Sequence, residues 1–516
     1  MATQYPPPSK RQKTAAAALA SKQQEIDQIP TDLGNVRIQF IDRATNAPTG
    51  PPVSVPVAQS TVKNLELLLN SLQGHDEAHD RIPFRFFHER GEGDGDALAD
   101  GTDVYHALLK EGKAGTEETI TLHYAPQAVF RVKAVSRCSA AISGHGEPIL
   151  CVQFSPTSSS RMASGSGDNT ARIWDCDTGT PLQTLKGHTS WVLAVSWSPD
   201  ASMIATGSMD NTVRLWDPVT GKALGSPLKG HSKWITSLSW EPYHIQEKGR
   251  PRVASSSKDA TVRIWDAVNR RADISLSGHK GSVTCVKWGG VGFIYTASYD
   301  KTVKVWNASN GTLAHTLASH AHRVNHLALS TDFVLRTAYH DHTGMVPDTD
   351  EGKLSKAKER FRKTAMINKK VVERLVTASD DFTIYLWEPS NSTKPVARLI
   401  GHQKQVNHVT FSPDGLYIAS TGFDNHVKLW NARDGNFIYT LRGHVGPVYQ
   451  CCFSADSRLL VTASKDTTLK AWDVRTGKLS VDLPGHADEV YAVDWSPDGE
   501  RVSSAGKDKQ VRIWRY

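Results

Sequence analysis

Residues 165–188 read GSGDNTARIWDCDTGTPLQTLKGH: a turn Asp at position 168, a strand closing on Trp174, and a Gly-His pair at 187–188. The phrase recurs along the chain. His145, His188, His231, His279, His320, His402, His444 and His486 lead it, and Asp168, Asp210, Asp259, Asp300, Asp381, Asp424, Asp466 and Asp508 hold its turn. Trp174, Trp216, Trp265, Trp306, Trp387, Trp430, Trp472 and Trp514 close it. Six of the eight His-to-Trp gaps are 27 to 29 residues, and the steps Trp174 to Trp216, Trp430 to Trp472 and Trp472 to Trp514 are each 42 residues. That period, with this His and Trp-Asp rhythm, predicts four-stranded β-propeller blades, each stacked on its neighbours to bury its faces. Eight units predict eight blades.

Each Asp precedes the Trp strand, where its carboxylate can accept from turn amides and from the blade's His. The arrangement resembles the His-Asp-Ser/Thr-Trp tetrad of WD-repeat proteins. A His-Asp pair is also the orienting half of a nucleophilic triad. Recurrence in every unit assigns these groups to stability, with His145, Asp168 and Trp174, His188, Asp210 and Trp216, and His444, Asp466 and Trp472 as representatives. A reaction centre, by contrast, is usually built once. The chain has no GxSxG elbow, no HExxH and no GxxxxGK[ST] loop, so no catalysis is expected.

The last Trp strand, QVRIWRY, ends the chain, so the eighth blade lacks an outer strand. The segment RCSAAIS, 137–143, precedes the first Gly-His without a blade of its own. It is expected to supply the missing strand and close the ring, removing an exposed sheet edge.

The propeller, 127–516, occupies about 390 of 516 residues and leaves room for a second domain. Cys138, Cys151, Cys176, Cys285, Cys451 and Cys452 lack CxxC spacing, which suggests neither a zinc site nor a disulfide framework. No apolar run of spanning length and no signal-peptide core appear, so a reducing, non-membrane setting is expected. A net charge of +7 permits contact with RNA. Residues 1–34 are rich in Pro, Ala and Lys and read as a disordered basic arm; its SKRQK cluster is either a solvated tail or a nuclear import or nucleic-acid patch.

Residues 35–126 carry a different pattern. NVRIQFID and PVSVPVAQ read as a hairpin, and STVKNLELLLNSL as a helix with Val62, Leu65, Leu69 and Leu72 on one face and Ser60 as its N-cap. IPFRFFHE supplies a third strand, DVYHALLK a helical turn, and EETITLHYAP a final strand. The order resembles the ubiquitin-like β-grasp, an α+β fold. GEGDGDALADG, with Asp94, Asp96 and Asp100, lacks the bidentate Glu of a calcium loop and reads as a flexible loop.

The fifth unit departs from the rest. It has Ser319-His320 in place of Gly-His, and 67 residues separate His320 from Trp387. A basic insertion at about 340–371 accounts for most of the excess, with Leu354, Ala357, Phe361 and Ala365 on one helical face and Lys356, Lys358, Arg360, Arg362 and Lys363 on the others. Two readings stand: a helix that binds RNA or an acidic partner, and a mobile solvated insertion.

The joining segment QAVFRVKAVSRCSAAISGHG, followed by GSGDNTARIWDCDTGTPLQTLKGH, GHSKWITSLSW, SSSKDATVRIWD and LSVDLPGHADEVYAVDWSPDG, resembles the Notchless family of ribosome-assembly factors, over nearly the whole chain after residue 34. The expected fold is mainly β, an eight-bladed WD-repeat β-propeller preceded by a ubiquitin-like β-grasp domain. The resemblance implies a nucleolar and nucleoplasmic assembly factor on the precursor of the large ribosomal subunit, monomeric within that particle. It also implies that the ubiquitin-like domain engages midasin, an AAA-type ATPase, with Glu117 of GTEETITLHY, or Glu118 in a shifted register, ligating a Mg²⁺ supplied by midasin. No intrinsic cofactor is expected. ATP-driven pulling would then remodel the particle and release factors, with ribosomal proteins, other assembly factors and rRNA as neighbours.

Residues two to four places after each Gly-His, and the residue before each turn Asp, are expected to face one rim. They include Trp191, Trp234, Tyr299, Arg323, Phe423, Tyr449 and Tyr491, with Lys258, Lys465 and Lys507. Aromatic anchors among cations suit a protein or ribonucleoprotein contact. The alternative function is substrate receptor of a cullin-type ubiquitin ligase, on the box Trp472-Asp473-Val474-Arg475.

Overall fold

The computed structural model describes residues 35–42, 48–57, 60–73, 84–88, 96–97, 104, 119–126, 132–341, 345–367 and 370–516. The arm at 1–34 lies outside them, as do Asp94, Asp100, Glu117 and Glu118. The chain divides into two compact units, Met1–Val129 and Phe130–Tyr516.

The first unit holds β1 (Asn35–Asp42), β2 (Val53–Pro56), α1 (Val62–Leu72), β3 (Phe84–His88), β4 (Asp96–Ala97) and β5 (Thr119–Pro126). Its sheet runs β2-β1-β5-β3-β4. The β1–β5 pair is parallel and the others antiparallel. Alternation along β1 sends Val36, Ile38 and Phe40 to one buried face, where they cluster with Leu65 and Leu69 of α1 and with Ile120 and Leu122 of β5. Two details of α1 differ from expectation. Thr61, not Ser60, is the N-cap, its hydroxyl accepting from Asn64 N at 3.4 Å. Ser60 is buried and donates to Val57 O at 2.7 Å, so its hydroxyl is spent on the preceding turn. Leu72, in the last helical turn, is exposed, and the buried face is Val62, Leu65 and Leu69. The loop expected around Asp96 contributes a short strand, β4, on β3.

The second unit contains eight sheets whose first strands contact one another in succession, Ile149–Phe154 through Val490–Trp495, and the last of these touches the first. Seven sheets have four strands. The second blade has three, Val192–Trp197, Ile204–Ser208 and Val213–Trp216. Its outer edge is reduced to isolated bridges, Val213 to Leu228 and Trp216 to Ala223. Between those bridges Gly225 takes φ +85 and Pro227 has no N–H to donate, which interrupts a regular ladder.

In the eighth blade the outer strand is β6 (Arg137–Ser143), paired antiparallel with Gln510–Arg515 from Gln510–Ser143 to Arg515–Arg137. The two ends of the propeller sequence therefore share one sheet.

The insertion starts earlier than the sequence suggested, directly after the fifth blade's first strand at Leu329. It forms α2 (Asp332–Thr337) and α3 (Asp350–Ala365) before the next strand begins at Leu375. Of the expected apolar face of α3, Ala357, Phe361 and Ala365 are buried and Leu354 is exposed, because Leu354 lies in the second turn, beyond the packed part of the helix. The Phe361 ring stacks on His244 of the third blade at 4.4 Å, and a Cβ on Gly290 of the fourth would overlap it. Arg360 turns inward, donating to Ala338 O and His340 O, and Lys356 pairs with Asp341 at 2.9 Å. Lys358, Arg362 and Lys363 remain exposed. Arg336 of α2 crosses to the far side of the ring, where it donates to Asp494 Oδ1 at 2.8 Å in the eighth blade and to Phe154 O at 3.1 Å in the first. The insertion is a packed part of the propeller.

Candidate binding rim

Every blade carries the same relay. In the first, His145 Nδ1 lies 2.8 Å from Asp168 Oδ2, its Nε2 lies 2.8 Å from Ser164 Oγ, and Trp174 Nε1 donates to that Oγ at 2.7 Å. The ionised Asp168 carboxylate can only accept, so His145 Nδ1 carries the proton that points at it, while Nε2 faces the hydroxyl that accepts from Trp174. The other seven use Thr206, Ser255, Thr296, Thr377, Ser420, Thr462 and Ser504. Each hydroxyl stands ten residues before its Trp, a spacing visible in the sequence although these positions were not singled out there. All eight hydroxyls are held between a His and a Trp, and the residues that bear them are fully buried, so the relay has no free nucleophile.

The turn carboxylates are set by opposed effects. Burial works against ionisation of Asp168, but hydrogen bonds from His145, Thr170 and the Gly146 amide outweigh it and hold the group well below the usual range. The same balance lowers Asp210, Asp259, Asp300, Asp381, Asp466 and Asp508. Asp424 sits at about 2; its turn has His426 where most blades have Thr. A carboxyl depressed on folding adds stability that is complete above its unfolded value, about 4, and disappears as pH falls through the folded value. The urea midpoint is therefore expected to drop steeply between about pH 4 and about pH 2. A midpoint constant over that window in equilibrium denaturation would exclude this role.

One backbone bond per blade builds the rim. The residue before each turn Asp donates its N–H to the carbonyl of the third residue after the His: Met209 to Trp191, Lys258 to Trp234, Asp380 to Arg323, Phe423 to Gln405 and Lys465 to Pro447, each at 2.9 Å. The two sets of positions expected to share a rim thus face each other. Trp191, Trp234 and Tyr299 are exposed large aromatics, and Lys258, Arg323, Lys465 and Lys507 are exposed cations. Tyr449 and Tyr491 differ: each lies five residues after its His, inside the first strand of its blade, and is half-buried. They make a row with Phe423, the Phe423–Tyr449 centroids 6.1 Å apart and the Tyr449–Tyr491 centroids 5.6 Å, while Tyr449 Oη donates to Glu489 at 2.9 Å.

The Trp472-Asp473-Val474-Arg475 box is largely spent on its own blade. Trp472 and Val474 are buried, and Asp473 Oδ1 accepts from the amides of Arg475 and Thr476 at 2.9 and 3.0 Å. No helix among the described residues is long and apolar enough to cross a membrane.

Compared with known proteins, the chain is 58% identical over 444 residues to ribosome assembly protein 4 of Chaetomium thermophilum, covering 85% of each chain. It is 57% identical over 446 residues to the protein of the same name in Saccharomyces cerevisiae, again covering 85% of each. Protein Notchless of Drosophila melanogaster is 46% identical over 376 residues, 72% of this chain and 73% of that one. The chain belongs to the Notchless family. This Notchless-family chain also matches the NLE (NUC135) domain over 36–94 and the WD domain, G-beta repeat family over 136–175, 179–217, 221–266, 272–307, 393–431, 435–473 and 477–515. Those seven repeats skip the fifth blade, whose sequence is interrupted by the insertion. Its relay is nevertheless intact, with His320 Nδ1 2.9 Å from Asp381 and Trp387 Nε1 3.0 Å from Thr377 Oγ1. The crystal structure of the computationally designed Ika8 protein superposes with a TM-score of 0.57 at 25% identity, covering 74% of this chain and all of that one.

Proposed function

We propose that this chain is a non-enzymatic assembly factor of the large ribosomal subunit in the nucleolus and nucleoplasm. Its propeller anchors to the pre-ribosome, and its N-terminal unit holds the metal-site domain of the AAA ATPase midasin. The observation that carries the reading is the 58% and 57% identity to two proteins named ribosome assembly protein 4, across 85% of each chain. The docking half is supported by the order β2-β1-β5-β3-β4 around a parallel β1–β5 pair with one packed helix, the arrangement of the ubiquitin-like β-grasp.

Glu117 lies two residues before the last strand of that unit in sequence, with Glu118 as the alternative ligand. Mg²⁺ takes hard oxygen ligands in an octahedron, so a metal held mostly by midasin is completed by one carboxylate from this chain. The cation is the partner's, and this chain supplies a ligand and a handle. Val132, donating to Asp456 at 2.9 Å in the seventh blade, and β6, paired along Gln510–Arg515, fasten the start of the propeller sequence, so a pull transmitted along the chain meets a folded anchor. Force applied there serves remodelling and the release of factors.

Full-length protein is expected to bind the purified midasin metal-site domain with Mg²⁺ and to lose binding with chelator. Glu117→Ala is expected to weaken it at least about a hundredfold, close to 2.7 kcal/mol, while Glu118→Ala is tolerated. Metal-independent binding that is indifferent to Glu117, measured by calorimetry, removes the tether. Co-sedimentation with pre-ribosomal particles tests the anchoring half separately.

A further inference from the structure

We infer that the rim of blades three to five is a docking site for single-stranded RNA. This rests on the reading of the propeller as the pre-ribosome anchor and assigns one sector of it a ligand. Two cation–aromatic stacks stand there: Lys258 Nζ lies 4.2 Å from the Trp234 ring centroid, and the Arg323 guanidinium lies 4.7 Å from that of Tyr299, joining the fourth blade to the fifth. Trp234 and Tyr299 are 41% and 43% exposed, large fractions for rings already covered on one face. Lys280 and Lys301 flank the fourth blade's turn, both exposed, and the Lys280 amide is fixed on Asp300 at 2.9 Å.

The pairing of its cations distinguishes this sector from blades seven, eight and one. Across blades seven, eight and one, Lys465 pairs with Glu489 at 3.7 Å, Lys507 with Asp488 at 3.3 Å and Lys509 with Glu147 at 3.8 Å. Among the described residues, Lys258, Lys280, Lys301 and Arg323 have no carboxylate partner. Asp300 and Asp259 are committed to their histidines, and Asp380 is engaged by Asn325 at 2.7 Å and His322 at 3.5 Å. Four exposed cations therefore stand on this sector without an ion-pair partner, and the ligand they fit is anionic.

Its chemistry favours a nucleic acid over an acidic peptide. Three of the four cations are lysines on separate loops, point charges suited to phosphates strung along a backbone, whereas carboxylates are best met by the planar fork of arginine. Between them stand flat, exposed rings on which unpaired bases stack, and a guanidinium lying on a tyrosine extends such a platform. Single strands present both features together; in a duplex the base faces are already stacked.

The test is fluorescence anisotropy of the full chain with a labelled oligouridine of about twelve nucleotides, titrated from about 50 to about 200 mM salt. Binding is expected to fall with salt. Lys258→Ala with Lys280→Ala is expected to reduce the log–log salt slope by about 1.4, near 0.7 per lost phosphate contact. Trp234→Leu is expected to weaken binding about tenfold at an unchanged slope, since stacking releases no counterions. Lys465→Ala with Lys507→Ala, which removes paired lysines, is expected to change neither; circular dichroism confirms that all variants are folded. Absence of RNA binding, equal losses from both lysine pairs, or a polyglutamate peptide that binds more tightly than RNA through the same residues would each overturn the inference. Particle co-sedimentation of the same variants keeps the two readings apart: wild-type association without RNA binding overturns this inference alone, and no association overturns the anchor reading.

Discussion

Removal of Trp514, Arg515 and Tyr516 is expected to abolish the cooperative unfolding transition of the propeller, an effect far larger than three residues would ordinarily have. Trp514 is buried, donates to Ser504 Oγ at 2.8 Å, and packs with Val132, Val135 and Trp495. Loss of such a ring from a core costs about 3–5 kcal/mol. The same cut removes the partners of Arg137 and Cys138 at one end of β6, the bond from Ser136 N to Arg515 O, and the bond from Arg515 to Cys176 O in the first blade. The ring then opens between its first and last blades and exposes an unpaired strand edge. Against a domain stability of about 5–15 kcal/mol these losses are of the same order as the whole. Deletion of Tyr516 alone, which is mostly exposed, is expected to cost less than about 1 kcal/mol. Thermal melts and limited proteolysis of the two truncations decide the point, and a three-residue deletion that melts like the full chain would show that closure does not depend on this strand pair.

Asp494→Ala is expected to destabilise the propeller by about 3–5 kcal/mol, the range for stranding one member of a buried pair. Asp494 is buried in the first strand of the eighth blade and accepts from Arg336 and, at 2.7 Å, from the Phe154 amide. Three distant parts of the chain converge on that carboxylate: the fifth-blade insertion, the eighth blade and the first. Its loss leaves the Phe154 amide without its acceptor and the Arg336 guanidinium with only Phe154 O, its charge uncompensated. Replacing both partners, Arg336→Met with Asp494→Leu, is expected to recover much of the loss, because two apolar side chains bring no unmet charge. Urea denaturation of the single and double variants measures the coupling. A single variant within about 1 kcal/mol of wild type would mean that the insertion is not fastened across the ring.

Most of the blade architecture was legible because each blade is a local device. His, Asp, Ser or Thr and Trp lie within some thirty residues of one another in six blades, and their mutual hydrogen bonds require that spacing. The fifth blade tests this logic: the insertion moves His320 57 residues from Thr377, yet the relay forms, because turn and Trp strand keep their own short spacing and only the loop between the first two strands has grown. Closure was legible for a related reason, since the segment 137–143 precedes the first Gly-His without a blade of its own, and it pairs with Gln510–Arg515. Where expectation missed, the deciding contact was a neighbour that periodicity does not register. Ser60 was claimed by Val57 O rather than by the helix, and Arg360 of the supposed outer face turned to the carbonyls of Ala338 and His340.

The sequence by itself determined the number of blades, the relay inside each, the strand that closes the ring and the family, because all of these are written in spacings that survive along the chain. Only the tertiary structure decided that the insertion is fastened across the ring through Arg336 and Asp494, and which rim cations are neutralised and which stand free. Lys465 and Lys258 occupy the same place before a turn Asp, yet one faces Glu489 and the other covers Trp234. Charge pairing falls off over a few ångströms, so what a lysine does depends on residues brought to it by the closed ring and not on its position in a repeat.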